Sequence, residues 1–274
     1  LMGAKDSLSF QVFLYALCCV LVIVFVHLYS VYSLLNKVLP PEAPVILPIA
    51  LVLFALFFVF FCSFRKKDQV YWPLLLTGIL LCLGALIIPD SRYPVKRIHV
   101  LEYMLLSCLV RYAMSWKIQG AKLLFFSVVA TAVFGIHDEL LQGIHLKRTY
   151  GLRDMGVNGL SAFGGGLIWH GGRLFQREAV LSVHQSAANS SLPILYLSWL
   201  VASVFCFVVP LAGLKNQPIP YWTLLPLSAA LLFWALYLEQ FAGRTRHGCM
   251  VLSGLVFSFF CYPFVINAFS LTFY

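Results

Sequence analysis

Charge is scarce in this chain. Only 11% of its 274 residues are Asp, Glu, Lys or Arg, where a soluble domain has about 25%, and this excludes an ordinary water-exposed surface. Motifs for familiar chemistry are absent too. There is no Walker loop, GxSxG, HExxH or CxxC, so nucleotide hydrolysis and the common serine and zinc hydrolase layouts have no support. The eight cysteines lie mostly inside apolar runs, without a disulfide framework or zinc-knuckle spacing. Acidic residues number 10 against 19 Lys and Arg, a net charge of +9. In so apolar a chain that excess reads as basic loops facing anionic headgroups, with no nucleic acid as partner.

What the chain has in abundance is hydrophobic length. Hydrophobic residues make up 61% and the mean hydropathy is +0.90. A hydrocarbon layer about 30 Å thick needs roughly 20 residues of helix. Nine segments meet or approach that length, near 9–35, 45–64, 71–89, 98–115, 122–144, 154–172, 191–211, 219–239 and 248–271. The expected fold is all-α, a polytopic transmembrane helix bundle of about nine helices in a multi-pass integral membrane protein. The first run is too long for a signal-peptide core and no small-x-small cleavage site follows it, so it reads as a retained signal anchor. Pro226 and Pro263 fall within segments and should kink them. The polar stretch 182–191 is the candidate linker before a C-terminal three-helix block.

Orientation follows from the Lys and Arg of alternate loops. With the N-terminus cytoplasmic, ten lie inside and eight outside, with Arg111 unassigned. Six of the outside eight belong to two loops rich in other polar groups, where chemistry can hold them. Discounting those, the chain reads as N-terminus in, with the polar loops extracytoplasmic and Arg65, Lys66 and Lys67 in the cytoplasm.

Those loops carry the chemistry. Lys96, His99 and Tyr103 are spaced i, i+3, i+7 and share one helical face, with Glu102 beside them. Asp138, Gln142 and His145 repeat the pattern at the end of the fifth segment, with Glu139 about 100° round the helix. Asp154 and Asn158 are i, i+4 at the start of the sixth. An up-down bundle brings the start of helix four, the end of five and the start of six to one membrane face, so three polar faces converge at one depth. The site would combine cations (Lys96, Arg97, Arg148, Arg153) with carboxylates (Glu102, Asp138, Glu139, Asp154) around His99 and Asn158. Arginine matches phosphate oxygens bidentately, and a carboxylate beside an imidazole suits general-base chemistry. The alternative is a structural knot, with Asp138 or Asp154 pairing with Arg148 to staple three helices. His99, Asp138, His145, Glu139 and Asp154 fit no standard metal spacing, so no metal and no cofactor is assigned. His27 reads as a hydrogen-bonded packing residue, and His170 and His247 as loop or headgroup contacts. The run Gly159, Ser161, Ala162, Gly164, Gly165, Gly166 should let helix six approach its neighbours closely.

Lys96-x-x-His99-x-x-x-Tyr103, then Asp138-Glu139-x-x-Gln142, Arg148, Asp154 and Asn158, resembles the signature of the VanZ-like family of membrane proteins over about 100 residues. Val95 stands where the family often has Asp, and Ser161 where it usually has Gly. The resemblance implies a core at 71–178; the two-helix extension at 1–70 and the three-helix block at 191–274 lie outside what it accounts for. It marks these nine as the family's characteristic polar positions; by their chemistry His99, Asp138, Glu139 and Asp154 are the catalytic candidates and Lys96, Tyr103, Gln142, Arg148 and Asn158 the substrate-binding candidates. The family is named for a protein of glycopeptide-resistance clusters associated with low-level teicoplanin resistance. The implied setting is the bacterial inner membrane, and the implied function is binding or processing an amphipathic, phosphate-bearing envelope lipid or lipid-linked precursor. The alternative is a non-catalytic accessory subunit whose extra helices dock to partner membrane subunits.

Overall fold

The computed structural model describes residues 4–175 and 191–274, apart from 36, 41, 67–68, 91, 146–147, 215 and 242. Among them no strand occurs. The helices are α1 (Ala4–Leu35), α2 (Ala43–Phe64), α3 (Trp72–Ala85), α4 (Ile98–Ser115), α5 (Gly120–Ile144), α6 (Leu152–Gly171), α7 (Leu192–Leu211), α8 (Leu225–Tyr237), α9 (Gly243–Phe257) and α10 (Cys261–Ala268). Only a single 3-10 turn, Ser258–Phe260, separates α9 from α10, so nine segments result, as the apolar runs require. Six are long and apolar enough to cross a membrane: Leu8–Tyr32, Ala43–Phe64, Gly120–Ile144, Leu192–Leu211, Tyr221–Gln240 and Thr245–Ala268.

The segments that fall short of that test are α3, α4 and α6. α3 is 14 residues long; it stops at Ala85 rather than near 89 because Pro89 disfavours helical backbone at Ile88. α4 and α6 carry the polar side chains and form the middle of the bundle. α6 packs against α3, α4 and α5, while α1 lies on α4 and α5, and α2 on α4. The apolar helices thus surround the polar ones, which places polar groups against protein rather than hydrocarbon.

Small residues on α6 produce the close approaches expected of them. A Cβ on Gly78 of α3 would lie 2.5 Å from the Gly164 carbonyl oxygen, and one on Gly164 would lie 2.7 Å from Cys82 Sγ. Gly165 faces Ser107 and Met104 of α4, and Gly166 faces Val128 of α5. Trp169 then bridges α6 to α4, its indole N–H donating to the Met104 carbonyl at 3.0 Å and to Ser107 Oγ at 2.9 Å.

Both expected kink positions fall where a 3-10 turn passes into a helix. Pro226 occupies the first turn of α8, after a 3-10 turn at Tyr221–Leu224, so it starts a helix where a kink was expected; its missing N–H is one the first turn leaves unpaired in any case. Pro263 likewise lies in the first turn of α10, after the 3-10 turn Ser258–Phe260. Pro48 and Pro210 lie inside α2 and α7. Residues 182–190 of the candidate linker, and Lys67, Lys147, Arg177 and Lys215 of the charge count, lie outside the described residues.

The C-terminal helices join the rest through α5 and α9. His137 supplies the polar part of that joint: Nδ1 is 2.9 Å from the Tyr262 hydroxyl, and Nε2 is 2.9 Å from the Leu255 carbonyl. Beyond α10 the chain runs back along the α5–α6 loop. Tyr274 N–H donates to the Gly143 carbonyl and Tyr150 N–H to that of Tyr274, with the Phe273 ring seated on Gly143.

Candidate functional site

The starts of α4 and α6 and the end of α5 meet at one end of the bundle, as the alternation of helices demands. Lys96 lies in the 3-10 turn Pro94–Arg97 that leads into α4, and its ammonium forms an ion pair with Asp154 Oδ2. One turn on, His99 Nδ1 is 2.8 Å from Glu102 Oε2 and 3.8 Å from Asp138 Oδ2. Glu139 Oε2 accepts the Gly151 N–H at 3.1 Å. Gln142 Oε1 accepts two bonds from Arg148, from Nε at 3.1 Å and Nη2 at 2.5 Å. Asn158 donates to the Gly135 carbonyl at 3.2 Å, fastening α6 to α5. His99, Tyr103, Asp138, Glu139, Gln142, Asp154 and Asn158 are all buried.

The nine expected residues therefore converge, and their pairings differ from the structural-knot arrangement. Asp154 pairs with Lys96, while Arg148 grips the Gln142 amide. Both Asp138 oxygens, Glu139 Oε1, Glu102 Oε1 and the Tyr103 hydroxyl are buried without a partner in hydrogen-bond geometry among the described residues. The Tyr103 hydroxyl and Gln142 amide do face Asp138. Buried polar atoms are normally satisfied, and here most of the exceptions gather in one cluster.

Several expectations are corrected. Arg97 turns from the cluster and donates to the Leu86 carbonyl at 3.1 Å. Arg153 is exposed and lies 3.8 Å from Asp90. His145 belongs to a different surface, because α5 ends at Ile144 and His145 has extended backbone, φ −84° and ψ 122°. The 100° step no longer applies there, and its ring meets His27 edge-on with centroids 5.8 Å apart. The two histidines border a small cavity of about 210 Å³ between α1 and α5. His170 and His247 make internal contacts rather than headgroup ones, His170 with Arg111 at 3.4 Å and His247 with Gln11 at 3.2 Å.

A larger cavity, about 380 Å³, lies over the polar cluster. Its base includes Lys96, His99, Glu102 and Arg148; its wall is Phe25, Leu28, Val31 and Tyr32 of α1 with Leu47, Pro48 and Leu51 of α2. Tyr93 and Thr149 are exposed at its rim. The sequence carried a signal for Glu102, since i, i+3 places it on His99. It carried none for the apolar wall, whose residues resemble every other lipid-facing side chain. Outside the helices, Arg92 donates to Asp90 at 2.9 and 3.0 Å and holds that carboxyl below its ordinary range.

The geometry offers a cationic pair for an anionic headgroup, an imidazole–carboxylate pair for proton transfer, and an apolar flank for hydrocarbon. Comparison with family models, curated proteins and solved structures finds no match to this chain.

Proposed function

We propose that the protein is a multi-pass inner-membrane protein of bacterial type that binds, and is equipped to process, an amphipathic phosphate-bearing lipid of the cell envelope. The observation that carries this reading is the amphipathic lining of the 380 Å³ cavity. That volume lies within the range of about 300–1,000 Å³ typical of small-molecule sites. Lys96 and Arg148 face the headgroup, Arg148 offering the planar fork that fits a phosphate. The α1–α2 wall takes the upper part of the acyl chains. His99, held by Glu102, with Asp138, Glu139 and Asp154 beside it, supplies acid–base groups, while Tyr103, Gln142 and Asn158 shape and orient the floor. The spacing shared with the VanZ-like signature supports the same region and an envelope setting. The site faces the extracytoplasmic side.

The accessory-subunit reading calls for paired charges and no cavity. The unpartnered carboxylate oxygens and the cavity both favour the binder. The test is native mass spectrometry of the detergent-purified chain with phosphatidate against diacylglycerol of the same acyl chains. Saturable, phosphate-dependent binding is expected, weakened by Arg148→Gln at the head end and by Leu51→Trp at the wall. Equal binding of both lipids, or binding indifferent to both substitutions, refutes the reading.

A further inference from the structure

We propose that His99, Asp138 and Glu139 hold a divalent metal ion beneath the lipid cavity. One donor atom from each lies within 4.8 Å of the other two. They come from two rigid elements: His99 from the first turn of α4, Asp138 and Glu139 from the last two turns of α5. A metal would draw the donors inward, since its bonds to nitrogen and oxygen are about 2.0–2.2 Å.

The second observation is a local excess of negative charge, most of whose oxygens lack a hydrogen-bond partner among the described residues. Lys96 pairs with Asp154 and His99 with Glu102. Asp138 and Glu139 remain, adjacent in sequence and fully buried. Three of their four oxygens, both of Asp138 and Oε1 of Glu139, have no hydrogen-bond partner among the described residues. Unpaired buried carboxylates are among the costliest groups a protein can hold. A divalent cation supplies positive charge to both carboxylates and bonds one oxygen of each together with the imidazole. Gly151 N–H, bonded to Glu139 Oε2, orients that carboxylate. Glu102 does the same for the imidazole, the outer-shell arrangement that metal-bound histidines require.

The donor set indicates the class of ion. Imidazole with two carboxylates suits first-row ions from Mn²⁺ to Zn²⁺, whereas Mg²⁺ and Ca²⁺ favour all-oxygen shells. Three protein ligands leave a coordination position open. His99 and Glu102 also line the cavity, so the open position borders it. That a lipid phosphate oxygen fills it rests on the lipid-binding reading above; binding of the ion does not.

The experiment is metal analysis of the full chain in lipid-free detergent, stripped with chelator and titrated with MnCl₂ or ZnCl₂. Saturable uptake of about one ion per chain is expected, with a rise in Tm on loading. Asp138→Asn and Glu139→Gln should abolish uptake, while Glu102→Gln should weaken it about 10- to 100-fold. His27→Ala, which removes an imidazole from the smaller cavity, should keep it. The proposal fails if the stripped wild type shows no saturable uptake, or if Asp138→Asn and Glu139→Gln, monodisperse by size exclusion, load like the wild type. Should those two variants aggregate, the wild-type titration and an undiminished affinity in Glu102→Gln decide against it in the same way. Because no lipid is present, a negative result here is distinct from failure to bind phosphatidate.

Discussion

Asp138→Asn removes the charge from a buried carboxylate whose oxygens are unpartnered and which stands beside Glu102 and His99. The substitution keeps the shape of the side chain and relieves repulsion among carboxylates, so folded protein should lose no stability. Asp154→Asn provides the contrast, because it breaks the ion pair with Lys96. Opposite charges about 4 Å apart attract by about 4 kcal/mol where the effective dielectric is about 20. The Lys96 side chain is 20% exposed and that of Asp154 5%, so Lys96 recovers part of its hydration once the pair is broken. A net cost of about 2 kcal/mol follows, below the ~3–5 kcal/mol of a fully buried pair. At ~2–4 °C per kcal/mol for a chain of this size, Tm should fall by about 4–8 °C. The assay is thermal unfolding in detergent, read by intrinsic fluorescence and by loss of the monodisperse peak, with phosphatidate binding measured in parallel. Asp138→Asn should melt at or above the temperature of the metal-stripped wild type and bind lipid poorly. If it melts as early as Asp154→Asn, the carboxylate is a brace and the functional reading of the cluster is wrong.

Gly135→Ala should cost about 1–3 kcal/mol by overpacking, since the new Cβ would stand 2.7 Å from Asn158 Cβ and 3.4 Å from Tyr103 Cε1; Gly159→Ala meets nothing within 4 Å and should stabilise by up to about 1 kcal/mol, so matching melts for the two would contradict the α5–α6 packing. His137→Phe fills the same space but leaves the Tyr262 hydroxyl and Leu255 carbonyl without their ring partner; because the hydroxyl keeps the His137 carbonyl and the Leu255 carbonyl keeps Ser258 Oγ, each lost bond costs about 0.5–1.5 kcal/mol; hydrogen exchange should rise first in α9 and α10, and uniform protection would refute the joint. Thr149→Cys and Lys66→Cys, both exposed and at opposite ends of the bundle, should react with a membrane-impermeant thiol reagent from opposite sides, Thr149→Cys from outside the cell; labelling of that position only from the cytoplasm would invert the orientation.

The sequence alone determined the helices and the end of the bundle at which the cluster lies. Long apolar runs can satisfy their backbone within a membrane only as helices, and this made nine segments legible without any knowledge of their neighbours. Helical periodicity then put His99 with Tyr103, Asp138 with Gln142 and Asp154 with Asn158, and the alternation of direction brought those pairs to one end. Periodicity failed where the helix did: His145 lies one residue beyond α5, and its ring went to His27.

Only the tertiary structure decided partners. Arg97, Arg148 and Arg153 were equal as sequence, but Arg97 found the Leu86 carbonyl, Arg153 lies near Asp90, and Arg148 alone of the three lines the cavity. His137, next to Asp138 in sequence, points about 100° away along the helix and so belongs to the joint with α9 and α10 rather than to the site. The cavity wall was illegible for a related reason. A leucine facing lipid and a leucine facing a cavity are the same in sequence and hydropathy, and only the packing of α1 and α2 over α4 gives Leu28, Val31 and Leu51 their different surroundings.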